Sequence, residues 1–189
     1  MKKLYKYIFL FLVSFIFFFN QGCDILENFF LNLPLKQPIT TTGNGPVISE
    51  TEVVCLAEYD AYQDNIDEIQ NVVYVSALYR TLDTPQLTPG LTGSNISVTV
   101  VDGNGNLMFT KNLPTANADD YIDEPYVLEL TAQEIALLNG YLALYKDETL
   151  WNTVCFSSTL TVDNVSGSSG PPFTLTGQVE LLLELELEP

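Results

Sequence analysis

Three cysteines, Cys23, Cys55 and Cys155, and a run of carboxylates, Asp119, Asp120, Asp123 and Glu124, are the residues of this 189-residue chain best placed to do chemistry. The chain has no histidine, which removes Ser-His-Asp and Cys-His nucleophilic schemes and the usual zinc sites. It has no Gly-Lys-Ser/Thr phosphate loop either, and Asp102-Gly103-Asn104-Gly105-Asn106 lies between two strand-like segments, where it is expected to turn a hairpin. The four carboxylates offer the oxygen ligands a hard cation such as calcium takes, but the glycine and final ligand of an EF-hand loop are missing, and a solvated acidic loop is the competing reading. Carboxylates could also cleave glycosides, given two of them at a set separation beside sugar-stacking rings. Trp151 is the only tryptophan, and the expectation is a protein that is not an enzyme and needs no cofactor beyond that candidate calcium. Tyr59, Tyr62, Tyr74 and Tyr79 could line a binding face or simply pack a sheet.

Cys23 follows a distinctive start. Met1-Lys2-Lys3-Leu4-Tyr5-Lys6 is basic, and Tyr7 to Phe19 is apolar apart from Ser14. A spanning helix needs about 20 apolar residues, whereas this run stops at Asn20 and has the length of a signal core, about 7–15 residues. Gly22-Cys23 comes next, and the sequence here resembles the lipobox of bacterial lipoproteins, in the relaxed form of small β-sandwich envelope lipoproteins of Bacteroidota, with Asn20 and Gln21 at the preceding positions. The resemblance covers residues 1–24. It implies cleavage before Cys23, acylation of that cysteine with palmitate-type chains, and a cell-envelope location, expected at the outer membrane. Asp24 and Glu27 resemble retention and surface-export signals that conflict, so the periplasmic and surface faces both stay open. The alternatives are an ordinary signal peptide cut near Gly22 and a single-pass anchor. Acyl chains contribute about 0.8 kcal/mol per buried methylene, so three of them hold a protein on a bilayer unaided.

Removing residues 1–22 leaves 167 residues, enough for one domain with a sizeable core. Lys2, Lys3 and Lys6 leave with the signal, so four basic residues face 24 acidic ones and the net charge falls from −17 to −20. Such a field excludes nucleic acid as a partner and favours solubility; the expected partners are the membrane, through the lipid, and an envelope protein or glycan. Hydrophobic residues make up 47% of the chain, so it should fold.

The elements positioning these residues are mainly strands. Phe29, Leu31, Leu33 and Leu35 alternate with Phe30, Asn32, Pro34 and Lys36, and Pro34 places this first strand at a sheet edge. Further strands are expected near 50–58, 72–82, 95–102, 106–112, 125–130, 151–163 and 173–188, with turn residues between. Thr131-Ala132-Gln133-Glu134 has the spacing of a capping box, and Ile135, Leu138 and Leu142 follow at helical spacing, predicting one short helix that caps an open end. Another helical turn is expected at 64–69. Together these predict an immunoglobulin-like antiparallel β-sandwich of seven to eight strands, with residues 1–22 as signal, 23–45 as anchor, tether and first strand, and 46–189 as the rest of the domain. Val179, Leu181, Leu183, Leu185 and Leu187 mark the last strand as a core strand, or else a donor to a neighbouring subunit in a pilin-like polymer. Cys55 and Cys155 are a candidate disulfide. Alternation leaves the pair open, because Cys55 shares an inward-looking face with Val53 and Ala57 while Cys155 shares an outward one with Thr153, Ser157 and Thr159.

Overall fold

The computed structural model describes residues 29–146, 150 and 153–188, so Cys23 and Trp151 lie outside the described residues. Two antiparallel four-stranded sheets face each other. β1 (Phe29–Gly43), β8 (Phe173–Leu187), β3 (Ile69–Thr81) and β6 (Tyr126–Val127) form one in that order; β2 (Val47–Cys55), β7 (Cys155–Asp163), β4 (Asn95–Asp102) and β5 (Leu107–Asn112) form the other. The mainly β sandwich with eight strands is as expected. Its connectivity is not the immunoglobulin one, in which the first strand pairs with the second. Here β1 pairs with β8, and every link except the β4–β5 hairpin crosses between sheets, which is the double Greek key of a jelly roll. Periodicity reveals strands but carries no information on their lateral order.

β1 and β8 pair without interruption from Phe29 opposite Leu187 to Gly43 opposite Phe173. Period-two alternation sends Leu33, Leu35 and Ile39 of β1 and Val179, Leu181, Leu183 and Leu185 of β8 inward, where all are buried. β8 lies between β1 and β3, so its apolar stripe is central core. Gly177 is needed there, because a Cβ would lie 2.8 Å from the Tyr79 ring and 2.7 Å from Leu160. β1 is an edge strand, as Pro34 predicts.

The single turn α1 (Asp60–Gln63) replaces the one expected at 64–69, where 64–68 is non-helical turn and Ile69 begins β3. In α2 (Ala132–Leu142) Thr131 and Glu134 form both bonds of the capping box, worth about 1 kcal/mol. The helix runs along a side of the sandwich, where Glu134 and Asn139 meet β5 and β3, and its C-terminal part reaches an end of the second sheet, where Tyr141 bonds to the β4–β5 turn and the start of β7. β6 spans two residues instead of 125–130, which leaves most of the β3 edge open, and α2 covers it: the Tyr74 N–H donates to Asn139 Oδ1 at 2.8 Å. Lys111 of β5 ties the helix to the other sheet through Glu134 at 2.7 Å.

Candidate functional site

Cys55 and Cys155 sit directly opposite each other on β2 and β7 and are joined by a disulfide, with Cα atoms 3.9 Å apart. The expected inward face of Cys55 is corrected. Val54 and Leu56 are the buried neighbours, whereas Val53 is 56% exposed, so both cysteines belong to the outer face of their sheet. β2 is an edge strand, and apolar Val53 was a misleading guide there.

Asp119 and Asp120 lie in a short 3-10 turn (Ala118–Tyr121), with Asp123 and Glu124 exposed just after it. Asp120 is occupied locally, accepting from Thr115 Oγ1 and Asn117 Nδ2, each at 2.7 Å. Among the described residues no three Asp, Glu or Cys side chains converge as metal ligands do, and the four acidic residues are not brought together.

The tyrosines pack rather than line a face. Tyr62 and Tyr79 are fully buried, while Tyr59 and Tyr74 are half-buried. Burial pushes the Tyr62 phenol up to about 12, with Tyr145 adding to it, and raises Tyr74 to about 12. Burial, then the charge of Glu186, raises Tyr145 to about 12 as well. Several tyrosine hydroxyls receive backbone amides: Lys36 N–H donates to Tyr59 at 2.8 Å and Thr115 N–H to Tyr121 at 2.9 Å. Tyr141 accepts from the Gly103 and Cys155 N–H groups, each at 3.0 Å, and its hydroxyl has the Thr153 and Cys155 carbonyls within reach at 3.0 Å. That one phenol joins α2, the β4–β5 turn and the start of β7.

The β4–β5 turn is built on Asp102. Its Oδ1 accepts from the Asn104 and Asn106 N–H groups at 2.8 Å, its Oδ2 from Asn106 Nδ2 at 2.9 Å, and Gly105 takes φ +82°. Burial alone would raise the carboxyl, but these bonds hold it below the usual carboxylate value. A shallow groove of about 540 Å³ between this turn and α2 is mainly apolar, lined by Leu107, Met108, Leu137 and Leu144 among others. A second cleft of about 450 Å³ opens between β1 and β2, with Glu52, Glu58 and Tyr59 in its walls.

One surface escaped the sequence reading. Thr51, Thr159, Thr99 and Thr110 stand in register across β2, β7, β4 and β5, and Ser49, Thr161, Ser97 and Asn112 form the next row. Hydroxyl pairs link Thr51 to Thr159 at 2.7 Å, Ser49 to Thr161 at 2.8 Å and Thr99 to Thr110 at 3.1 Å. The signal was present as hydroxyl residues two apart in Ser49-Glu50-Thr51, Ser97-Val98-Thr99 and Thr159-Leu160-Thr161. These two rows carry no charge, whereas the outer face of β8 presents Glu180, Glu184 and Glu186.

At one end of the sandwich the loops 82–94, 113–125 and 164–172 are bonded together. Thr92 and Ser166 exchange two backbone bonds at 2.8 Å, Gly93 N–H reaches Ala116 O at 2.9 Å, Ala118 N–H reaches Leu91 O at 2.9 Å and Ser168 N–H reaches Pro89 O at 3.0 Å. The result is a loop cap whose backbone is fixed before any partner arrives.

No family model matches the chain, and no curated protein does. Among solved structures it is similar to a chain of Desmodium yellow mottle tymovirus, at 10% identity and TM-score 0.40 over 90% of this chain and 97% of that one. It is also similar to a chain of Turnip yellow mosaic virus, at 12% identity and TM-score 0.37 over 84% and 96%, and to one of tobacco necrosis virus, at 12% and 0.32 over 82% and 95%. Likeness at this level carries no argument about activity or partners.

Proposed function

We propose that the chain is a lipid-anchored protein of a bacterial cell envelope that acts by binding or assembly and not by catalysis. The observation that carries this is the junction of Gly22 and Cys23 immediately after a basic start and a short apolar run. Among the described residues no helix is long and apolar enough to cross a membrane; in this reading the acyl chains on Cys23 make the attachment. The hydrogen-bonded loop cap and the neutral hydroxyl rows support the binding part, because each is a preformed surface that a partner can meet without reordering the backbone.

Mass spectrometry of the amino-terminal peptide of membrane-extracted protein should find acylated Cys23. The Cys23→Ser variant should leave the membrane fraction. An unmodified mature terminus elsewhere would refute the proposal. The carbohydrate-acting alternative requires two carboxylates in one cleft. Glu52 and Glu58 both line the cleft between β1 and β2, and a glycan hydrolysis screen decides that alternative: turnover abolished by Glu52→Gln or Glu58→Gln would replace the binding assignment.

A further inference from the structure

We propose, resting on the lipid anchor above, that the sandwich stands end-on upon a zwitterionic bilayer, with Phe29 and Phe30 entering the interfacial layer and the loop cap facing outward. Register fixes the geometry. Phe29 lies opposite Leu187, and Ile69 also lies opposite Leu187, so the start of β1, the start of β3 and the end of β8 share one end. Gly43, Phe173 and Thr81 close the same three strands at the other end, beside the loop cap.

Phe29 and Phe30 are 65% and 61% exposed, more than any other large hydrophobic residue described. Successive strand residues point to opposite sides, so a partner docked on one face of β1 would cover only one ring. A fluid phase surrounding the strand tip covers both, and phenylalanine is a usual anchor of the interface between headgroups and acyl chains. Cys23 precedes Phe29 by six residues, a reach of at most about 20 Å, so an acylated Cys23 keeps both rings within range of the bilayer.

Charge selects the lipid. Asp64, Asp67 and Glu68, in the turn before β3, and Glu188, just after β8, lie at this same end, where Glu188 N–H donates to Glu68 O at 2.7 Å. They would be repelled by an anionic surface within a Debye length, about 10 Å at moderate salt, but not by zwitterionic headgroups.

The test uses the full lipidated protein in phosphatidylcholine vesicles with brominated acyl chains. In a Trp151→Phe background, Phe29→Trp and Phe30→Trp should be quenched several-fold more than Val47→Trp, an exposed position at the opposite end. Adding phosphatidylglycerol at low salt should reduce that quenching. Hydrogen exchange on the unsubstituted protein serves as a check independent of substitution: on vesicles it should slow over residues 64–69 and stay unchanged over 164–172. Acylated Cys23 with equal quenching at all three positions, or unchanged exchange over 64–69, overturns the seat and leaves the anchor standing. Absence of acylation overturns both.

Discussion

A phenol that serves several backbone groups at once is the most economical joint in this molecule. Removing the Tyr141 hydroxyl leaves the Gly103 and Cys155 N–H groups without their acceptor, and an unsatisfied buried group costs about 1–3 kcal/mol. Tyr141→Phe keeps the ring against Phe156, with centroids 5.4 Å apart, so the loss isolates the hydrogen bonds. Thermal unfolding should fall by roughly 2–4 °C per kcal/mol for a domain of this size. The buried Gln37 plays a comparable part between sheets, donating to Phe156 O at 2.8 Å and accepting from Ser158 Oγ. The other tyrosines set a pH limit. Tyr62, Tyr74 and Tyr145 stay protonated in the folded chain up to about pH 12, whereas an unfolded tyrosine ionises near 10. A folded value raised in this way contributes stability that is complete below pH 10 and is lost as the pH climbs through 12. The urea midpoint should therefore hold up to about pH 10 and decline beyond it, which unfolding curves at stepped pH will show. None of these roles was legible in the sequence. A tyrosine's ring is visible in a pattern, but the amides its hydroxyl receives come from Gly103 and Cys155, 38 and 14 residues away, and only the fold brings them there.

At the scale of elements, each sheet edge carries a feature that discourages pairing with another chain. On β1, Lys36 turns its N–H toward Tyr59 and away from β8. Pro34 and Pro38 share that parity, so the donors they lack would have faced the open edge. β2 places Glu50 and Glu52 at positions of inward parity with Ile48 and Val54, where both remain exposed. β6 is two residues long, and α2 flanks both β3 and β5. The elements themselves were largely readable: β4 falls on the expected 95–102, and the capping box at Thr131 marks the start of α2. What alternation misjudged was Cys55, because a valine on an edge strand need not face the core. The disulfide closes a separation of 100 residues, for which chain entropy gives about 4.7 kcal/mol and measured cases more often 2–4. The Cys55→Ser/Cys155→Ser pair should lower the urea midpoint accordingly while leaving the folded spectrum unchanged. Two alkylatable thiols in unreduced, denatured wild-type protein would show that the bond does not form.

Across the whole molecule, charge is distributed so that an acidic chain can still close a sandwich. The glutamates of β8 meet only basic or uncharged residues on the neighbouring strands: Glu180 lies between Lys36 and Leu78, Glu184 between Asn32 and Val73, and Glu186 between Phe30 and Asn71. No carboxylate is directly opposite another in these pairs, which avoids the cross-strand repulsion that like charges would add. The inner side of the same strand holds Val179, Leu181, Leu183 and Leu185, all essentially fully buried. At roughly 1.5–3 kcal/mol for each buried side chain, these four contribute about 6–12 kcal/mol, an upper estimate since the unfolded chain already shields part of its surface. That is comparable to the whole stability of a typical domain, about 5–15 kcal/mol. β8 also supplies the hydrogen-bonding partner of both β1 and β3, so its removal would open two further edges. Deleting residues 179–189 should therefore yield a chain that loses its β circular dichroism and aggregates on size exclusion. A strand that serves instead to complete a neighbouring subunit predicts the opposite, a soluble folded monomer that no longer assembles, and that result would refute the core assignment and support the polymer reading.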